Sequence, residues 1–228
     1  MRSSEYLFWF AILVRMAGYI VLGAGLAGLA SAYYLLKSGK KVCLIDCEKR
    51  GGGASAIAAG LLHPYKPDQS AYLWKGREAL AESEKLIQSI EDHVGSVVYR
   101  RGKIIKRGIS LPLGGIVHMD HYLAGLWDCC FAMGMQFIKR KVTDLATLCC
   151  EQVIIAVGAG ISLFPVNTRY YLTRGVTIKA HSLRQGDLER AHLHRHYIVP
   201  IQGNEYCIGS TYDRDPCFSQ KREEILVN

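Results

Sequence analysis

Apolar residues occur in short runs that glycines and charged residues separate, and their spacing predicts alternating strands and helices. An apolar run at 19–22 leads into a glycine-rich turn, and a second apolar run at 42–45 ends in Asp46. The apolar positions between these runs recur at helical spacing: Leu29, Ala32, Tyr33 and Leu36. This helix stops at Gly39, a favourable residue for closing a helix. The pattern predicts a βαβ unit of about thirty residues.

Three glycines in the turn have separate structural roles. Gly23 permits a tight turn, Gly25 lets the backbone approach a pyrophosphate, and Gly28 lets the helix pack close to the strand. The helix N-terminus then attracts negative charge. Asp46 follows Gly23 by 23 residues, where an acidic side chain binds ribose hydroxyls and repels a 2′-phosphate. We therefore predict that the turn binds FAD or NAD and not NADP; a glycine turn without a ligand is the alternative.

The pattern beyond Asp46 predicts two more helices. The first runs over 70–93 with Ser70 as its N-cap, and the second runs over 120–133 and ends at Gly134. The core-facing residues of the first helix are predicted to be Leu73, Leu80, Leu86, Ile87 and Ile90. Those of the second helix are predicted to be Tyr122, Leu123, Leu126, Trp127 and Cys130.

Strand patterns fill the rest of the chain. Residues 97–107 predict a strand pair around Gly102, and residues 135–142 alternate as a single strand. Residues 151–158 repeat the strand-into-glycine pattern, as a later parallel strand beside the same nucleotide would. Beyond residue 170, short strands are predicted at 175–179, 196–200 and 206–211. Their turns indicate an antiparallel sheet, to which residues 97–117 are a candidate addition.

The net charge of +8 is spread over patches rather than a tail. The patches are Arg100, Arg101 and Lys103; Lys106 and Arg107; and residues 139–141. Such patches favour an anionic partner, including RNA. The alternative is a set of solvated strand edges, where lysines discourage sheet pairing. Aromatic residues are not interleaved with the patches, so they form no stacking platform for bases.

Cysteine and histidine spacing predicts neither a metal site nor a disulfide framework. The eight cysteines include no C-x-x-C pair, and two vicinal pairs lie in apolar runs. They are typical of reduced, buried thiols in a cytoplasmic protein. His192, His194 and His196 would share one face of a strand. No carboxylate or cysteine accompanies them at a suitable spacing, so a solvated edge is the favoured interpretation.

The N-terminal residues 1–15 are predicted to be an extension. Their apolar run at 6–14 is too short to span a bilayer, so stable membrane insertion is not expected. A signal peptide is disfavoured because no small-residue cleavage site separates the run from the first strand. Two interpretations are preferred to a signal peptide: an upstream extension, or a mis-called start with Met16 as the native one.

The chain resembles the FAD-dependent oxidoreductases of the D-amino acid oxidase and glycine oxidase superfamily over residues 16–215. The motifs that carry the resemblance are the glycine fingerprint and the segments 53–64, 153–158, 197–200 and 208–213. By this resemblance, the contacts with FAD are Gly23, Ala24, Gly25, Leu26, Ala27, Gly28, Asp46, Ala54, Ser55, Gly60, Leu61, Leu62, Val142 and Gly158. It also implies that Tyr197 contacts the substrate carboxylate and that His63 approaches the flavin. No catalytic base is expected, because the cofactor carries the chemistry.

The resemblance implies a fold and a reaction. The fold class is α/β, with a Rossmann-like FAD-binding sheet and an incomplete antiparallel-sheet substrate domain. The expected FAD-binding parts are 16–96 and 118–166, and the expected substrate-domain parts are 97–117 and 167–228. The expected reaction is oxidation of the C–N bond of a small amine or amino acid.

Two alternatives follow from the same resemblance. The segments 60–64 and 208–214 look most similar to the oxidase half of the bifunctional enzyme that modifies the tRNA wobble uridine, so tRNA is an alternative partner. Members of the superfamily continue into an arginine that holds the substrate carboxylate and a glycine-rich stretch over the flavin. The chain is therefore expected to be C-terminally truncated, and an inactive flavoprotein fragment is the second alternative.

Overall fold

The computed structural model describes residues 18–48, 50–66, 71–165, 167, 169–182 and 189–213. The predictions for residues 1–15, for Ser70 as an N-cap, for Cys217 and for the chain after residue 213 lie outside these ranges. The predicted division into domains is likewise not tested by the model and stays a prediction.

Three α-helices and thirteen strands occur in the described part of the chain. The helices are α1 (Leu26–Lys37), α2 (Gly76–Val94) and α3 (Met119–Ala132). The strands before α3 are β1 (Tyr19–Leu22), β2 (Val42–Asp46), β3 (Leu61–Leu62), β4 (Tyr99–Arg101), β5 (Ile104–Lys106), β6 (Ile109–Leu111) and β7 (Gly115–Val117). The strands after α3 are β8 (Gln136–Lys139), β9 (Gln152–Ile155), β10 (Ile178–His181), β11 (His192–Leu193), β12 (Tyr197–Pro200) and β13 (Glu205–Gly209).

A parallel four-stranded sheet in the order β8-β2-β1-β9 carries the predicted βαβ unit. Val21 faces a core that all three helices share. Ile20 and Leu22 face a second core that includes Phe164. Both faces of the sheet are therefore covered, which explains why its strands are continuous apolar runs. The predicted α/β class and Rossmann-like sheet are confirmed.

The predicted start of the second helix is wrong. Helix α2 begins at Gly76, and Leu73 lies outside it with 46% of its surface exposed. The amide of Leu73 donates to the Pro64 carbonyl at 2.8 Å, and Lys75 has a left-handed backbone with φ of 51°. The chain therefore turns back onto Pro64 before the helix can begin. The four other predicted core residues of this helix are buried.

The predicted strand pair around Gly102 is also wrong. Strand β4 pairs with β7 in a three-stranded sheet of order β3-β7-β4. Strand β5 pairs with β6 and, in parallel, with β11. The amide of Gly102 donates to the Gly114 carbonyl at 2.9 Å. The chain thus steps from one sheet to the other at Gly102 rather than folding into a hairpin.

The antiparallel sheet predicted for the end of the chain has the order β10-β13-β12-β11-β5-β6. The prediction of antiparallel strands is confirmed for β10, β12 and β13. Strand β10 begins at Ile178 instead of residue 175, because Val176 hydrogen-bonds Thr211 through its amide and its carbonyl outside the strand. No helix in the described residues is long and apolar enough to cross a membrane.

Helix α2 holds β4 through one carboxylate. Oε1 of Glu91 accepts hydrogen bonds from the amides of Val98 and Tyr99 at 2.8 and 2.9 Å. We expect Glu91→Ala to lower the free energy of unfolding by about 1–3 kcal/mol, since both amides lose a partner. Urea denaturation measures the loss. Glu82→Ala, which removes an exposed carboxylate from the same helix, should leave the midpoint unchanged, and equal effects of the two variants would contradict the assignment.

Candidate cofactor and substrate site

The glycine turn between β1 and α1 has no room for side chains. Gly23 has φ of +104°, and a Cβ built on it would lie 2.3 Å from the Ala156 carbonyl oxygen. A Cβ on Gly28 would lie 1.8 Å from the carbonyl oxygen of Gly23. Helix α1 therefore packs directly against the turn, and its N-terminus faces the carboxyl edge of the parallel sheet. This edge is where nucleotides bind in sheets of this kind.

Ser55 lies at the N-terminus of α1. Its Oγ accepts a hydrogen bond from the amide of Leu26 at 3.0 Å, and it would lie 3.0 Å from a Cβ on Gly25. The first turn of α1 carries no acidic side chain. The hydroxyl oxygen thus occupies a position where the helix favours an anion such as phosphate. Ala54 belongs to the same short 3₁₀ turn, Gly53–Ser55.

Asp46 closes β2 beside the glycine turn. Its Oδ2 accepts from the amide of Ala24 at 2.6 Å, and its Oδ1 accepts from the amide of Glu48 at 2.8 Å. Each carboxylate oxygen has two lone pairs. The side chain can therefore keep these backbone bonds and still accept a bond from a ribose hydroxyl.

A small hollow of about 130 Å³ lies at the carboxyl ends of β1 and β2. It brings together Gly23, Asp46 and Val142, three of the residues predicted to contact FAD. Gly158 begins the 3₁₀ turn Gly158–Leu163, which supplies other residues of the wall. With φ of +55° and no atom within 4 Å of a Cβ built on it, Gly158 leaves its side of the chain open.

A much larger cavity of about 1160 Å³ is lined by residues of all three helices, of β3 and β7, and of the six-stranded sheet. The predicted site residues in its wall are Leu26, Gly60, Leu61, Leu62, His63 and Tyr197. Typical ligand pockets measure about 300–1,000 Å³. The cavity therefore has room for a flavin ring system together with a small substrate.

Gly60 fixes the shape of this wall. Its φ is +72°, and a Cβ built on it would lie 1.9 Å from the Val117 carbonyl oxygen. The Val117 amide donates to the Gly60 carbonyl at 2.8 Å. This close contact holds Leu61 and Leu62 in β3 against β7 and along the cavity.

The arrangement fits a dinucleotide with a ring system at one end. Gly23 lines the small hollow and Leu26 lines the large cavity, so the glycine turn and the N-terminus of α1 stand between the two spaces. A pyrophosphate at this N-terminus would join an adenosine on one side to an isoalloxazine ring on the other. Ala27 lies in the first turn of the same helix.

His63 and Tyr197 both line the cavity, and both side chains are uncharged. Nδ1 of His63 accepts from the Tyr65 amide at 3.2 Å. Burial, and then the nearby charge of Lys106, lower the pKa of His63. Burial is the main cause that raises the pKa of Tyr197. At neutral pH the imidazole is therefore unprotonated and the phenol keeps its proton as a hydrogen-bond donor.

Sequence reasoning missed part of the cavity wall. The missed polar residues are Arg107, His194, Arg195, His196, Ser210, Tyr212 and Ser83. The register that brings β11 beside β5 places the first three there, and no local pattern encodes that pairing. The proposed single face for the three histidines is wrong, because β11 ends at Leu193 and His194 lies in the turn to β12. Among the described residues, no group of three His, Cys, Asp or Glu side chains is placed to hold a metal ion.

Two further expectations need correction. Lys106 is not part of a solvated edge: only 5% of its surface is exposed, and its Nζ donates to the Lys66 carbonyl. The vicinal pairs of cysteines also differ from each other. Cys129 and Cys130 are buried, whereas Cys149 is exposed and Cys150 is half-buried.

Fold and site together define a dinucleotide-binding oxidoreductase of the flavoprotein type. A model of the family described as FAD dependent oxidoreductase (DAO) matches residues 19–104 and 98–226, and the chain belongs to this family. The prediction of FAD as the cofactor is thereby confirmed.

The chain is similar in sequence to one curated protein and in fold to several solved structures. An uncharacterized oxidoreductase of Bacillus subtilis is 39% identical over 59 residues, which are 26% of this chain and only 16% of that protein's length. Glycine oxidase from Geobacillus kaustophilus is similar with a TM-score of 0.72 at 19% identity, over 86% of this chain and 71% of that one. Iminodiacetate oxidase from Chelativorans sp. is similar with a TM-score of 0.68 at 14% identity, over 88% of this chain and 73% of that one. The structural likenesses show the fold.

The contact between Gly28 and Gly23 leads to a test of cofactor binding. We expect Gly28→Ala to force α1 away from the turn and to weaken FAD binding by about 1–3 kcal/mol, which corresponds to about 5- to 150-fold in affinity. Flavin absorbance per mole of purified protein measures the change. Gly102→Ala is the control, because a Cβ there meets no atom within 4 Å and its φ is not positive. Equal flavin content in both variants would show that the contact does not shape the cofactor site.

The charge of Lys106 acts on His63 in a measurable way. We expect His63 to titrate below 6.5, the ordinary value for histidine, and Lys106→Met to raise its midpoint because a nearby positive charge is removed. Histidine side-chain NMR over a pH series measures both midpoints. Lys179→Met removes a cation that does not line the large cavity and should leave the His63 midpoint unchanged. An unchanged midpoint in Lys106→Met would contradict the coupling.

Proposed function

We propose that this chain is an FAD-dependent oxidoreductase that oxidises the C–N bond of a small amine or amino acid, with O2 or another electron acceptor. The observation that carries the proposal is the cavity of about 1160 Å³, because the cofactor segment 60–62 and the candidate substrate residues His63 and Tyr197 line the same space. The names of the glycine oxidase and iminodiacetate oxidase that share the fold agree with a small amine substrate.

The residues that would hold FAD follow from the geometry. Gly23, Gly25 and Gly28 give the pyrophosphate access to the N-terminus of α1, with Ser55 beside it. Asp46, Val142 and Gly158 would serve the adenosine end. Bound FAD supplies an acceptor for the hydride that leaves the α-carbon of the substrate.

The side chains around the cavity then position the substrate and exclude water. Tyr197 keeps its proton and can donate to a substrate carboxylate. The uncharged His63 can accept a hydrogen bond from the substrate amine. Leu61 and Leu62 supply apolar wall beside them. Because hydride transfer from an uncharged amine needs no protein base, no side chain is assigned that role.

A second candidate function, oxidative demodification of a carboxymethylaminomethyl wobble uridine in tRNA, is favoured by one surface feature. A groove of about 170 Å³ has four cations in its wall, Arg100, Arg101, Lys103 and Arg190, and one acidic residue, Glu189. Glu84 pairs with Arg101 at 2.6 Å, so part of this charge is already compensated. The remaining cations suit a phosphate backbone, and binding there would weaken steeply with salt.

We also propose a cytoplasmic location. Cys43, Cys130 and Cys207 are buried and free, and burial raises the pKa of Cys43 to about 12. Thiols of this kind persist in a reducing compartment.

The visible absorption spectrum of the purified chain tests the proposal first. We expect a flavin doublet at near-stoichiometric content, and bleaching of that doublet when a small amino acid is added without oxygen. Bleaching by modified tRNA and not by amino acids would favour the second candidate. Absence of flavin after incubation with FAD would contradict both and identify the chain as an inactive fragment.

A further inference from the structure

Two strands of the six-stranded sheet, β5 and β11, end side by side at the mouth of the large cavity. Strand β5 runs parallel to β11, with Lys106 opposite Leu193. The amide of Arg107 donates to the Leu193 carbonyl at 2.9 Å. The next residues of the two chains therefore leave the sheet together, and Arg107 comes beside the turn that contains His194 and Arg195.

This edge is cationic and reaches both solvent and cavity. Arg107, His194, Arg195 and His196 are exposed, and all four line the cavity. We call these four residues the cationic rim. Nδ1 of His196 lies 3.2 Å from the Ser210 carbonyl oxygen, and the amide of His194 donates to the His196 carbonyl at 3.0 Å. The hairpin that presents Arg195 is thus fixed by its own hydrogen bonds.

The side chains in the described wall of the cavity are cationic, polar or apolar. Its lining contains no aspartate and no glutamate. Behind the wall lies the buried Lys106, whose positive charge adds to the effect of burial in lowering the pKa of His63. A cavity with this charge distribution attracts an anion and repels a second cation.

We propose that the cationic rim binds a second anionic group of the substrate, a carboxylate or a phosphate at the end away from the reacting C–N bond. The inference rests on the proposed function, because it assigns a substrate class to the same cavity. The exposed guanidinium of Arg195 suits such a group, since it can offer paired N–H donors to its oxygens, and Arg107 adds a second positive charge at the same mouth. An amine with a neutral or cationic distal end gains nothing from this rim.

Glutamate and glutamine form a matched pair of test substrates, because they differ only in a distal carboxylate or amide. With the FAD-loaded protein and the reactive enantiomer, we expect kcat/KM for glutamate to exceed that for glutamine by about tenfold or more, the effect of one charge-assisted hydrogen bond. Arg195→Gln and Arg107→Gln should each reduce this ratio by raising KM for glutamate at unchanged kcat. Lys179→Gln changes an exposed cation of the same sheet that does not line this cavity and should keep the ratio.

Binding of glutarate separates this inference from the proposed function. Glutarate has two carboxylates and no amine, so its binding, measured by calorimetry, needs no turnover. Glutarate binding that Arg195→Gln weakens about tenfold, in a protein whose flavin no amine reduces, would support the rim and overturn the proposed function. Turnover of glutamate and glutamine at equal efficiency, unchanged in both arginine variants, would overturn the rim alone. Loss of RNA binding in Arg195→Gln without any glutarate binding would also overturn it in favour of a polyanion.

Discussion

The site depends on the contact between α1 and the turn that follows β1. At Gly28 the helix backbone comes so close to Gly23 that a single methyl group would lie 1.8 Å from its carbonyl oxygen. This proximity aims the first amides of α1 at the carboxyl edge of the sheet, between the small hollow and the large cavity. A side chain at either glycine would displace the helix and separate the two spaces that one cofactor has to span. The residues that line the hollow and the cavity can contact one cofactor only if α1 stays packed against this turn.

Local sequence patterns were sufficient for the nucleotide-binding half. The continuous apolar runs of β1 and β2 reflect burial on both faces, and the helical spacing of Leu29 and Leu36 reflects the packing of α1 on one of them. The fingerprint glycines could be recognised from their spacing, although only Gly28 has its close contact, with Gly23, within a few residues, and Gly23 itself approaches the distant Ala156. The Rossmann-like sheet could therefore be predicted from the pattern, whereas FAD instead of NAD followed from the family resemblance.

Pairings between distant segments could not be predicted. Residues 97–107 look like a hairpin, yet Glu91 and Gly114 draw one half into a different sheet from the other. The position of Arg107 beside Arg195 depends on the parallel pairing of β5 with β11, and the burial of Lys106 depends on a carbonyl supplied by Lys66. Helix α2 starts late because its preceding turn binds Pro64. In each case the structure depends on a residue that is distant in sequence, or on a backbone carbonyl group, which any residue provides.

The pairing of β1 with β9 has a consequence for how the protein is made. Tyr19 pairs with Gln152, and the Ala156 carbonyl oxygen lies over the turn at Gly23. The N-terminal βαβ unit therefore leaves the ribosome long before the strand that completes its sheet. Until then, one edge of β1 is unpaired and its apolar face is exposed to aggregation. The same pairing that closes the nucleotide-binding edge thus leaves that edge open to intermolecular pairing until residues 152–155 have been synthesised.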